Sequence, residues 1–139
     1  MTRYEPILQV TEILKEKALE THRRNLEESQ RLADELEQID ALFRAVQADQ
    51  DSIGARQILG SDALYQGWLL RKRSEILRKA AKARANLHDS MEKARTAWSR
   101  AEAAAELDQK ERSDRRDKLL ARQADTLDEL TRLRDFPFE

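Results

Sequence analysis

The sequence contains no cysteine, which removes disulfides and thiolate metal sites at once. Two prolines and three glycines in 139 residues leave few places where a helix is forced to stop. Aromatic residues make up 5%, so few large apolar groups exist to fill a globular core. Neither sign of charge prevails: 26 basic residues stand against 27 acidic ones, a formal net charge of −1. That balance argues against general nucleic-acid binding, which normally shows as a strongly basic domain. No apolar run approaches the roughly 18 residues that cross a bilayer. The opening MTRYEPILQV also lacks the basic-then-apolar order of a secretory leader. A cytoplasmic protein is expected.

What the sequence does have is the set of strong helix formers, Ala, Leu, Glu, Lys, Arg and Gln, and 38% charged residues. A pair of long helices buries only a narrow seam, so it needs less apolar area per residue than a globule. Pro6 is tolerated in a first helical turn, where its missing N–H would be unpaired anyway. From there Ile7, Val10, Leu14, Ala18, His22, Leu26, Ser29, Leu32, Leu36, Ile39, Phe43 and Val46 recur at steps of three and four. Gly54 and Gly60 mark a connection, with Ile53, Ile58 and Leu59 capping the apolar end and Ser61 or Asp62 as the next N-cap. A second stripe then runs through Leu69, Ile76, Ala80, Ala83, Leu87, Met91, Ala94, Trp98, Ala101 and Ala105, and later Leu119, Thr126, Leu130 and Leu133. Its alanines let the helices approach closely, Trp98 is expected to fill the gaps they leave, and Pro137 ends the run.

The expected fold is all-α: one long two-helix antiparallel coiled-coil hairpin over residues 1–139. Helix one covers 6–50, the connection 51–62 and helix two 63–134. The second helix is longer, roughly 105 Å against roughly 65 Å, and overhangs. Folding about the connection sets Ile7 opposite a point near Ala105. Beyond it, residues 106–118 (ELDQKERSDRRDK) hold one large apolar residue, Leu107, and read as solvated. Leu119, Leu120, Leu127, Leu130 and Leu133 then form a new stripe on a helix with nothing to cover it, which points to a partner-binding end.

Candidate chemistry is thin. His22 and His88 are far apart, and neither has a second ligand at metal-site spacing, so both read as seam-edge or surface residues. The glycines make no phosphate-binding loop. The carboxylates lie beside basic residues at i+3 or i+4, as solvated faces do. No catalytic residue, cofactor or metal is expected. The basic run Arg71, Lys72, Arg73, Arg78, Lys79, Lys82 and Arg84, broken by Glu75, allows two readings. It could hold RNA phosphates, or it could pair with an acidic partner or with acidic Asp34, Glu35, Glu37 and Asp40 across the hairpin; the second reading is favoured. Near the connection, Leu42, Phe43, Val46, Leu64, Tyr65, Trp68 and Leu69 gather large apolar groups at a tip, both a structural cap and an anchor for a protein partner.

The stretch YQGWLLRKRSEILRKAAKARANLHDSMEKARTAWSRAEAAAELDQKERSDRRDKL, with the short-then-long helix pair, resembles the FliJ family of flagellar export proteins and their YscO-type secretion counterparts. Members open helix two with Tyr-Gln and an aromatic, matched by Tyr65, Gln66 and Trp68. The run from ARTAW to DQKERSD, residues 94–114, matches their small or aromatic residue followed by a Glu/Gln/Arg-rich segment. The resemblance covers nearly the whole chain. Helix one has no tyrosine after Tyr4, where members carry tyrosines near the tip. The resemblance implies a stalk, similar to the gamma subunit of rotary ATPases, that inserts its terminal end into a hexameric export ATPase. It also implies contacts with export chaperones and with the export-gate membrane protein, which would bring the chain to the inner face of the cytoplasmic membrane only through partners. Ile7, Val10, Leu14, Leu119, Leu127, Leu130 and Leu133 would then lie at the ATPase end, and Leu42, Phe43, Val46, Tyr65, Trp68 and Leu69 at the tip facing the gate. Two other readings stand beside it: an unrelated coiled-coil adaptor or self-associating scaffold, and a helical RNA-binding arm. A stalk predicts a monomer when alone.

Overall fold

A computed structural model of the chain describes residues 2–50 and 59–135. Among these there is no strand. Helix α1 spans Glu5–Gln50, 46 residues, and α2 spans Leu59–Arg134, 76 residues. The two pack against each other as an all-α hairpin. The chain enters α1 through a turn in which the Glu5 N–H donates to the Thr2 carbonyl at 3.3 Å. Glu5 in the first turn of α1, and Arg132 and Arg134 in the last turn of α2, each oppose the local end of the helix dipole. Helix α2 begins four residues earlier than expected, so Gly60, Ser61 and Asp62 belong to its backbone and neither Ser61 nor Asp62 is its N-cap. A glycine costs a helix only about 1 kcal/mol relative to alanine, too little to fix a boundary by itself. Gly54, Ile53, Ile58 and Pro137 lie outside the described residues.

By contact the chain forms two units, Glu16–Arg95 and Met1–Lys15 with Thr96–Glu139. In the first, Ile39, Leu69 and Ile76 make a buried cluster with Leu36, Phe43 and Val46 packed against it. Leu32 is buried too. Three cross-helix contacts show the antiparallel course, advancing along α1 as they retreat along α2. His22 Nδ1 lies 3.0 Å from Ser90 Oγ, Asn25 Nδ2 donates to the Asn86 carbonyl at 3.2 Å, and Arg73 Nε donates to Asp40 at 2.8 Å. Ser90 has one hydroxyl proton, and it points to the Leu87 carbonyl at 3.0 Å. The Ser90 oxygen therefore accepts from His22, which assigns the ring proton to Nδ1.

The seam differs from the expected stripe at defined places. On α1 of this unit it runs through Ala18, His22, Asn25, Ser29, Leu32, Leu36, Ile39, Phe43 and Val46, all buried or half-buried. Leu26 is exposed and Asn25 takes its place. On α2 the seam passes through Ser90, and Met91 is exposed. A helical seam must advance seven residues every two turns. Counting in fours and threes back from Val46 reaches Asn25, whatever the polarity found there.

The same count governs the second unit. Leu8, Thr11 and Lys15 are half-buried on α1, while Ile7, Val10, Ile13 and Leu14 are about half exposed. On α2 the seam is Ala97, Ala101, Ala104 and Asp108; Ala105 is exposed, and Trp98, at 47% exposure, fills no gap between the helices. Thr2 Oγ1 donates to Asp108 Oδ1, and Arg112 Nε donates to Asp108 Oδ2 at 3.0 Å while its Nη2 stands 3.9 Å from Glu5. The stretch 106–118 is thus not wholly solvated, because Asp108 is buried and held from two sides. From residue 114 to residue 135 every residue is exposed.

Candidate partner-binding surfaces

Within the unit Met1–Lys15 with Thr96–Glu139, the leucines Leu119, Leu120, Leu127, Leu130 and Leu133 are between 54% and 64% exposed. Their angular position is informative. Continuing the seam from Ala104, Asp108 and Glu111 in fours and threes gives Arg115, Lys118, Arg122, Asp125, Glu129 and Arg132. Every one is charged. The leucines follow these positions by one or two residues, a rotation of about 100° or more around the helix. The stripe is therefore a separate apolar face and not more of the hairpin seam. Thr126 and Thr131 turn their hydroxyls back to the carbonyls of Arg122 and Leu127, at 2.9 and 2.8 Å, so neither needs water for that group.

Ile7, Val10 and Leu14 also lie exposed in this unit, but at another level. Thr2 and Glu5 meet Asp108 and Arg112, and Leu119 comes about two turns beyond Arg112. The two apolar groups do not form one continuous patch.

In the unit Glu16–Arg95 the tip residues divide. Leu69 is fully buried and belongs to the core, because it occupies a seam position; it presents nothing to a partner. Phe43 and Val46 are half-buried against that core. Leu42, Leu64, Tyr65 and Trp68 are exposed, and the rings of Tyr65 and Trp68 stack with centroids 6.1 Å apart and planes 11° from parallel. A stacked pair of large rings in water is a ready anchor for a partner.

The basic run is only partly engaged. Arg73 pairs with Asp40, and Lys72 and Lys79 both reach Glu75, at 3.8 and 3.3 Å. A hydrogen bond from Lys79, then the charge of Lys72, holds the Glu75 carboxyl below its ordinary range. The hydrogen bond from Arg31 does the same for Glu28, with Lys79 adding its charge from the other helix. Of the acidic residues expected across the hairpin, Glu35 pairs with Arg31 on its own helix and Asp34 accepts from Gln30 at 3.1 Å. Glu37 lines a cleft with Arg84. His88 is exposed, and among the described residues no group of three His, Asp or Glu side chains is placed to hold a metal ion. Among them, too, no helix is long and apolar enough to cross a membrane.

The fold defines a two-helix hairpin with exposed apolar surfaces in each of its two units. Compared with known proteins, the chain matches no family model, no curated protein and no solved structure.

Proposed function

We propose that the chain is a non-enzymatic stalk of a type III, flagellar-type, protein export apparatus, coupling an export ATPase ring to the export gate and to chaperones. The observation that carries this reading is the leucine stripe 119–133, exposed and rotated off the seam. Five leucines kept on one face of a helix, beside a charged face, require a cover that this hairpin's own seam does not supply. The resemblance in residues 65–119 supplies the identity of that cover, a hexameric ATPase, and the stacked Tyr65 and Trp68 supply a second contact for the gate. The chain alone is then a monomer.

Size-exclusion chromatography with light scattering, with and without the export ATPase of the same genome, tests the reading. A monomer that joins the ATPase ring, and no longer does so when Leu127, Leu130 and Leu133 are changed to Ser, supports it. A stable self-oligomer that ignores the ATPase overturns it in favour of a scaffold, since leucine stripes also pair with copies of themselves.

A further inference from the structure

The unit Met1–Lys15 with Thr96–Glu139 holds its two helices together unevenly. From residue 3 to residue 15 no side chain is buried. Leu8, Thr11, Glu12 and Lys15 are half-buried, and Ile7, Val10, Ile13 and Leu14 keep about half of their surface in water. Opposite them α2 offers Ala101 and Ala104, side chains of one carbon each. So small a facing surface gives this part of α1 little apolar burial to lose. The Thr11 hydroxyl turns back to the carbonyls of Ile7 and Leu8, at 2.8 and 3.0 Å, so its one proton stays within α1.

The firm contacts lie at the chain end. Buried Asp108 accepts from Thr2 through Oδ1 and from Arg112 Nε at 3.0 Å through Oδ2, and Arg112 Nη2 stands 3.9 Å from Glu5. Hydrogen bonds to a buried charge are stronger than neutral ones. Beside this clasp the closed form has an unfavourable feature. Glu111 is the next seam residue after Asp108, and its Oε1 accepts from Arg115 at 3.1 Å. Its Oε2 is buried with no hydrogen-bond partner among the described residues. A cleft of about 200 Å³ joins Glu111 and Asp114 to Arg3 and Tyr4. Separating residues 2–5 from α2 returns that oxygen to water, which is where an unpaired carboxylate oxygen is most stable.

We propose that residues 2–15 are a strap, latched at Asp108, that lifts from α2 as one piece while the unit Glu16–Arg95 stays closed. Asp108 holds the strap down, and Glu111 biases it toward lifting. Lifting uncovers Ala101, Ala104 and Asp108, a face of α2 that the closed form hides. The device belongs to the chain alone and stands whether or not the stalk reading does.

The chain has no cysteine, so a single introduced thiol reports opening without background. Ala101→Cys places one under the strap, and Ala83→Cys places one in the seam of the other unit. Both alanines are buried, and labelling by a thiol reagent follows the open fraction. In the full chain the thiol at position 101 should react at least about tenfold faster than the thiol at position 83. Adding Asp108→Ala should speed labelling at 101 by about tenfold or more and leave labelling at 83 within about twofold. Asp108→Asn, which keeps an acceptor for Thr2, should speed it less. Glu111→Leu should slow labelling at 101 alone. Circular dichroism melts report whether each variant is folded, and the milder Asn variant carries the test if the Ala variant is not. Equal labelling at the two positions, an Asp108 effect of the same size at both, or no Asp108 effect at 101 would overturn the proposal. So would labelling at 101 that Glu111→Leu leaves unchanged or makes faster.

Discussion

The two units keep the same seven-residue rhythm and fill it with different chemistry. In Glu16–Arg95 the seam is anchored by Leu32, Ile39, Leu69 and Ile76, large groups removed almost wholly from water. In Met1–Lys15 with Thr96–Glu139 its fully buried members are Ala101, Ala104 and the polar pair Thr2 and Asp108. The first gains its stability from apolar burial. The second gains little that way and depends on close backbone approach and on a buried carboxylate held by Thr2 and Arg112. The lesson is that a coiled-coil rhythm fixes which residues face inward, while residue size decides how much that facing is worth.

Mutations can break this contrast in a graded series. Leu69→Ala should cost about 2–5 kcal/mol in urea unfolding, because it leaves a cavity in the best-filled part of the seam. Leu119→Ala, on the exposed stripe, should change stability by no more than about 0.5 kcal/mol. Next comes overfilling: Ala104→Leu should destabilise by about 1–3 kcal/mol, whereas Ala105→Leu, one residue round the helix, should be nearly silent. Alike behaviour of the two alanine variants would mean that Ala104 does not face α1.

Asn25→Leu should sharpen the contrast from the other side. It puts an apolar group where the rhythm demands one and should raise stability by about 1 kcal/mol, at the expense of a polar contact that fixes register. The smallest expected effect is with pH. Glu28 and Glu75 have their carboxyls held below the ordinary range by Arg31 and Lys79. Their stabilisation is complete above the unfolded carboxylate pKa and is lost as pH falls through the lower folded value. Both groups are fully exposed, so a shallow acid-side decline in melting temperature, weaker still in salt, is the expected result.

Much of the fold was legible because helix formers, few breakers and a three-four rhythm all agree. Leu32, Leu36, Ile39, Phe43 and Val46 opposite Leu69 and Ile76 follow from the sequence by counting. Leu26, Met91 and Trp98 mislead for one reason: they are apolar residues one step off the seam, and choosing them follows polarity where helix geometry follows the period. Asn25, Ser90 and Asp108 are hidden by the same fact, although counting strict sevens finds each of them, from Leu32, Ile76 and Ala94 in turn. The exposure of Leu119 to Leu133 was legible from the mismatch in helix length. Its rotation off the seam was also countable, starting from Ala104. Under the proposed function its cover is another molecule, whose chemistry no periodicity within this chain encodes.

The most direct measurement of the central claim is amide hydrogen exchange along the chain, alone and with the export ATPase. Alone, residues 114–135 should exchange far faster than the seam around Leu32 and Ile76, and adding the ATPase should slow exchange in 114–135 specifically. Slow exchange there in the dilute, free chain, or no change on adding the ATPase, would contradict the account.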